Sequence, residues 1–222
     1  MLPRLLVLAV AVALAAATWI LAARRRTRSR IDVVLLDWGD TLMVDDHTQD
    51  GPMASWPRVA AVPGAREALS RLRPRYRLIV ATNADESSGP DVRAALERVG
   101  LGDFIDEVVS SRDVGARKPE GAFFRTALAR AGADGGPVSP ARAVMVGDSL
   151  PNDVGGAKAA GIRAVLLDAS RRPLPQDAPR PDAVIAHLDE LPGTLARLAA
   201  GRRSPTCYSR AADVVRRPTA SS

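Results

Sequence analysis

Six short apolar runs, separated by stretches of helical spacing, constrain the fold of this chain more than any other feature. They are IDVVLLD (31–37), YRLIVATN (76–83), DEVVSS (106–111), ARAVMVGD (141–148), RAVLLD (163–168) and DAVIA (182–186). Most are near-continuous in Val, Ile, Leu and Ala, the pattern of strands covered on both faces. Between them AREALSRL (65–72), DVRAALERVG (91–100), EGAFFRTALARAG (120–132), NDVGGAKAAG (152–161) and LDELPGTLARLAA (188–200) repeat apolar residues at the three-and-four spacing of one buried helix face. Strands alternating with helices predict an α/β architecture, a Rossmann-like three-layer parallel sheet with helices on both faces. Ligands of such sheets bind beyond the carboxyl ends of the strands. Asp37, Thr82 and Asp148 each stand where an apolar run stops.

The 222 residues suffice for one domain with a full core plus tails. The net charge of +6 is unevenly distributed: residues 1–30 hold six Arg and no acid, and residues 200–222 hold five Arg and one Asp. Between 31 and 199 there remain 20 basic and 24 acidic residues, a net charge of −4. The basic character belongs to the ends, so the folded part is not expected to bind nucleic acid. The lone Cys207 excludes an intramolecular disulfide. From Gly201 onward the chain is rich in Ser, Pro, Thr and Arg with little to bury, and 200–222 is read as a basic disordered tail.

Residues 5–23, LLVLAVAVALAAATWILAA, carry no charge, and RRRTRSR follows directly. At ~1.5 Å per residue such a helix crosses most of a ~30 Å hydrocarbon layer. The basic flank on the carboxyl side favours a signal-anchor over 1–30, with the folded part cytoplasmic. A cleaved signal peptide is the competing reading, with Ala15, Ala16 and Ala17 as small residues for processing. A later translation start, leaving a soluble cytoplasmic protein, is a third.

Four polar elements follow one another along the chain: Asp37 with Asp40 and Thr41, Thr82 with Asn83, Lys118 in ARKPE, and Asp148 with Asp153 in VGDSLPND. Lys118 is one of only two lysines, against 29 arginines. In this order and at these strand ends the four motifs resemble those of the haloacid dehalogenase superfamily of hydrolases, over residues 31–199. The resemblance implies a phosphatase in which Asp37 is the nucleophile and forms an aspartyl-phosphate. It implies Mg²⁺ held by Asp37, Asp148, Asp153 and the backbone carbonyl of Gly39, a hard-oxygen set that suits this ion. Thr82, the Asn83 amide and Lys118 would hold the phosphoryl group of a phosphorylated substrate, with Lys118 also offsetting the clustered charge.

One position departs from the family pattern. The acid that serves as proton donor normally stands two residues after the nucleophile, and here that residue is Gly39. Thr41 keeps its place four residues after Asp37, so the loop has not lengthened; an Asp-Gly order has become Gly-Asp. Asp40 on a flexible Gly39 is one substitute acid and base; a preference for leaving groups that need no proton is the alternative. The insert at 43–62 contains no lysine, against a phosphonoacetaldehyde hydrolase, and both aspartates of the fourth motif are kept, against a metal-free dehalogenase. That insert is short and turn-rich, a minimal cap expected to leave the site open. A weak or inactive protein that binds a phosphorylated partner, and a phosphotransferase, remain as alternative functions. Trp38 is read as packing under the loop, Asn152 as a helix cap, Lys158 as a solvated helix residue, and neither His47 nor His187 as a ligand.

Overall fold

The computed structural model describes residues 30–202 except 47, 133, 134 and 172. The expected anchor, basic linker and carboxyl-terminal tail lie almost entirely outside them, as does His47. Among the described residues no helix is long and apolar enough to cross a membrane.

Six parallel strands form one sheet in the order β3-β2-β1-β4-β5-β6. They are β1 (Val33–Leu36), β2 (Arg77–Thr82), β3 (Glu107–Ser110), β4 (Ala143–Gly147), β5 (Arg163–Leu167) and β6 (Ala183–Ile185). The helices between them are α1 (Ala65–Leu72), α2 (Gly89–Arg98), the single turn α3 (Ser111–Val114), α4 (Gly121–Ala131), α5 (Gly156–Ala159) and α6 (Leu191–Ala199). A π-helical turn, Leu150–Gly155, leads into α5. This is the α/β sheet predicted from the apolar runs, and each strand lies inside its run.

Side chains of a strand alternate between the two faces of the sheet, and β1 feeds two separate cores. Val34 and Leu36 join Leu69 and Leu72 of α1, Val92 and Leu96 of α2, and Leu195 of α6 on one face. Val33 and Leu35 join Phe123 and Phe124 of α4 and Ala157 of α5 on the other. Because both faces are covered, the strands show no polar alternation.

The chain winds outward from β1 to β3, then returns to place β4 against the other side of β1. The crevice between the ends of β1 and β4 is the switch point where parallel sheets accept ligands. The insert at 43–62 folds down beside it. Met43 bridges both Gly39 and Ala61, Met53 and Trp56 are buried in the α1–α2 core, and Arg98 of α2 donates to the Ala54 carbonyl at 2.7 Å. The turn-rich sequence concealed these anchors: a one-turn 3-10 helix, Met53–Ser55, positions the two buried side chains.

Candidate active site

Asp37 follows β1 directly, and its amide donates to the Val146 carbonyl of β4 at 2.9 Å, so its backbone is fixed by the neighbouring strand. Its side chain meets Lys118, whose Nζ donates to Asp37 Oδ1 at 2.6 Å and to Asp153 Oδ1 at 2.7 Å. Lys118 is 3% exposed and Asp153 1%. Burial pulls the Lys118 amine down, but the two carboxylates outweigh it and its pKa stands above the ordinary lysine value. The amine is therefore a fixed positive charge between two acids.

Lys118 is held by a reciprocal clasp. Its amide donates to Asn83 Oδ1 at 2.8 Å and its carbonyl accepts from Asn83 Nδ2 at 2.9 Å. Asn83 directly follows Thr82, the buried last residue of β2, so the second motif positions the third. Asp153 is fixed just as firmly, for the Ser149 amide donates to its Oδ2 at 3.0 Å while Lys118 takes Oδ1. Ser149 Oγ in turn caps the π-helical turn by accepting from Asn152 N at 3.4 Å. The cap is thus Ser149 and not Asn152.

Asp37, Asp148 and Asp153 each offer a carboxylate oxygen, all within 4.8 Å of one another. Octahedral Mg²⁺ with ligands at about 2.1 Å sets their oxygens about 3.0 Å apart when adjacent and about 4.2 Å when opposite, so the three carboxylates would draw together around the ion. Asp148 faces the cavity, yet burial against the surrounding walls and the charge of Asp37 push its pKa up to about 6. Burial also pushes Asp153 up to about 6, with Asp37 adding to the rise and Lys118 opposing it. One ammonium does not balance three carboxylates, and a dication would. Both oxygens of Asp153 accept a hydrogen bond and each keeps a second lone pair, so all three carboxylates offer an oxygen to a cation.

These residues floor a cavity of about 390 Å³ that Gly39, Thr82 and Asn83 also line. Its depth on one side comes from the insert, whose Met53 and Trp56 form part of the wall. The minimal cap is therefore a structured wall. Trp38 is buried in the core, as expected, and borders the cavity as well. Asp40 is exposed at the mouth with φ 50°, a left-handed conformation that Asp tolerates because its short side chain bonds locally. Its Oδ1 accepts from the Asp45 amide at 3.0 Å. Lys158 is exposed on α5, as read, and also donates to Asp182 at 2.8 Å, tying α5 to the start of β6.

A family model for hydrolases, described as haloacid dehalogenase-like hydrolase, matches residues 57–161, a stretch holding Thr82, Lys118, Asp148 and Asp153. A phosphoglycolate phosphatase of Mesorhizobium japonicum is 32% identical over 176 residues, covering 79% of this chain and 70% of the relative. The chain belongs to the haloacid dehalogenase-like hydrolases. A ribulose-1,5-bisphosphate 5-phosphatase of Halopiger xanaduensis is 36% identical over 113 residues, 50% of this chain and 44% of the relative. The chain thus spans about half the length of several curated relatives it matches. The solved 2-haloacid dehalogenase of Pseudomonas syringae is 33% identical with a TM-score of 0.54, covering 63% of this chain and 55% of that one. In this chain residues of all four motifs line one crevice. Asp45, which sequence reasoning passed over, lines the same cavity from the insert.

Proposed function

We propose that this haloacid dehalogenase-like hydrolase is a Mg²⁺-dependent phosphatase that works through an aspartyl-phosphate on Asp37. The observation that carries the reading is the Lys118 amine held between Asp37 and Asp153 beside a third acid, Asp148. Phosphate monoesters repel an anionic nucleophile until their oxygens are neutralised. A divalent cation such as Mg²⁺, held by these carboxylates, would supply that neutralisation. Asp37, Asp148 and Asp153 would hold the ion, and Asp153 also fixes Lys118. Asp37 attacks phosphorus, while Thr82, the Asn83 amide and Lys118 orient the phosphoryl oxygens. Water then cleaves the acyl phosphate and restores Asp37.

The cavity walls bear on the substrate. Asp40, Asp45, Asp85 and Glu86 line it, and among the described residues Lys118 is the only cationic side chain that does. Arg117 lies 3.5 Å from Asp85 and relieves only that acid, which is 70% exposed. A leaving group bearing its own carboxylate meets repulsion here, so the favoured substrates carry a neutral or cationic group. The deciding experiment is phosphate release from aryl and alkyl phosphates with and without Mg²⁺, alongside Asp37→Asn. Metal-dependent release that disappears in the variant, with covalent phosphate trapped only on the parent protein, supports the reading. Release that survives Asp37→Asn rejects it.

A further inference from the structure

Departure of an alkoxide from phosphorus needs a proton, and the attack of water on an acyl phosphate needs a group to take one. The carboxylates of the floor are committed: Asp37 to attack, Asp148 to the metal, and Asp153 to Lys118 and the Ser149 amide. Around the walls, Asp40, Asp85 and Glu86 are exposed, whereas Asp45 is half-buried.

Asp45 differs from these in where its carboxylate lies. The amides of Leu42 and Met43 both donate to the Trp38 carbonyl at 2.9 Å, and the Asp40 amide donates to the Met43 carbonyl at 2.7 Å, folding residues 38–43 into a tight loop. Val44 continues that path by donating to the Ala60 carbonyl at 2.9 Å. The chain thereby doubles back and lays Asp45 over Gly39. A Cβ built on Gly39 would stand 3.3 Å from Asp45 Oδ2 and 3.7 Å from its Cβ and Cγ. The carboxyl group of Asp45 thus lies against the point where a side chain at 39, two residues from Asp37, would begin.

We infer that Asp45 is the general acid and base of this site, reaching from the insert into the space that Gly39 leaves open. The inference rests on the phosphatase reading. In the first half-reaction an Asp37 carboxylate oxygen bonds phosphorus as the P–O bond to the leaving group breaks. The Asp45 carboxylic acid transfers its proton to the departing oxygen, releasing the alcohol and leaving a carboxylate. In the second, water bonds phosphorus as the P–O bond to Asp37 breaks, and Asp45 takes the water proton. Asp37 and the protonated Asp45 are regenerated, and inorganic phosphate departs. Asp40 acts through Asp45, by holding its amide, and is a positioning residue.

The test compares kcat/KM for p-nitrophenyl phosphate, whose leaving group departs without a proton, with kcat/KM for glycerol phosphate, on the full chain with Mg²⁺. Asp45→Asn is expected to lower the alkyl value by ~100-fold or more relative to the aryl value, in the range general acid catalysis contributes. The retained aryl kcat/KM, which reads only the first half-reaction, shows that the variant is folded, whereas kcat should fall for both esters because both pass through the same aspartyl-phosphate. Asp40→Asn keeps an oxygen acceptor for the Asp45 amide and is expected to shift the ratio far less. Returning a carboxylate from position 39, in Gly39→Asp combined with Asp45→Ala, which clears the contact, should restore alkyl cleavage at least in part. An unchanged ratio in Asp45→Asn, a larger loss in Asp40→Asn, or a parent protein that cleaves only the aryl ester overturns the inference while leaving the phosphatase reading in place. A parent protein that cleaves neither ester overturns both.

Discussion

The two sides of the cavity are built on different terms. On the floor, Asp37, Lys118 and Asp153 are almost wholly buried, sit at or beside strand ends, and are each held by at least one backbone bond as well as by one another. On the wall, Asp40 and Asp45 belong to a partly exposed loop, with a left-handed backbone at Asp40 and one amide-to-carboxylate bond between them. The contrast follows from what each side must do. Charges packed within a few ångströms need fixed geometry, because each is costly to bury unless its partner is in place. A proton donor needs only to reach one oxygen, and a loop can deliver it from any position that folds back far enough.

Disrupting the floor should therefore cost more than altering the wall. Lys118→Met leaves Asp37 and Asp153 buried without their shared cation, and truncating one member of a buried ion pair costs about 3–5 kcal/mol. Denaturant unfolding should register that loss, with part of it recovered by Asp153→Asn in the same chain. Gly147→Ala comes next. A Cβ at 147 would intrude well inside contact distance of the Asp153 carboxylate, and overpacking of this kind costs ~1–3 kcal/mol. Thermal unfolding should show the decrease, and Mg²⁺ should raise Tm less than in the parent.

A third measurement separates floor from wall through pH. The folded-state values of about 6 for Asp148 and Asp153 lie above the ordinary aspartate value of 3.8. Between these limits the native state binds more protons than the unfolded chain. The metal-free fold is thus favoured below pH ~4 by these two groups and loses that contribution as pH rises through ~6. Mg²⁺ competes with those protons, so its stabilisation should be small near pH ~5 and reach about 1.4–2.7 kcal/mol near pH ~7.5 at ten to a hundred times its Kd. Calorimetry at the two pH values with and without the ion reads this directly, and equal stabilisation at both argues against coordination by Asp148. The smallest effect belongs to the wall. Asp40→Gly relieves the left-handed backbone but removes the bond to the Asp45 amide, so stability should change by no more than ~1 kcal/mol.

Much of the floor was legible because it lies on periodic elements. Each strand was visible as an apolar run, and α1 occupies the same residues, 65–72, as its pattern. Asp37, Thr82 and Asp148 could be placed at strand ends before any contact was known. The clasp between Asn83 and Lys118 was not visible, because those residues are 35 positions apart and only the parallel packing of the sheet brings them together. The pairing of the exposed Lys158 with Asp182 was hidden for a related reason: that partner comes from a distant strand end.

The insert shows the limit most clearly. Its residues have no strand or helix period, so the sequence offered turn formers and a scatter of acids. The burial of Met53 and Trp56 and the return of Asp45 to Gly39 depend on contacts with the finished core. The sheet, the order of the four motifs and the missing side chain at position 39 all follow from the amino-acid sequence, because strand periodicity and residue identity are local properties. Which carboxylate comes to lie beside position 39 was decided in three dimensions, because a loop takes its path from the surfaces it packs against.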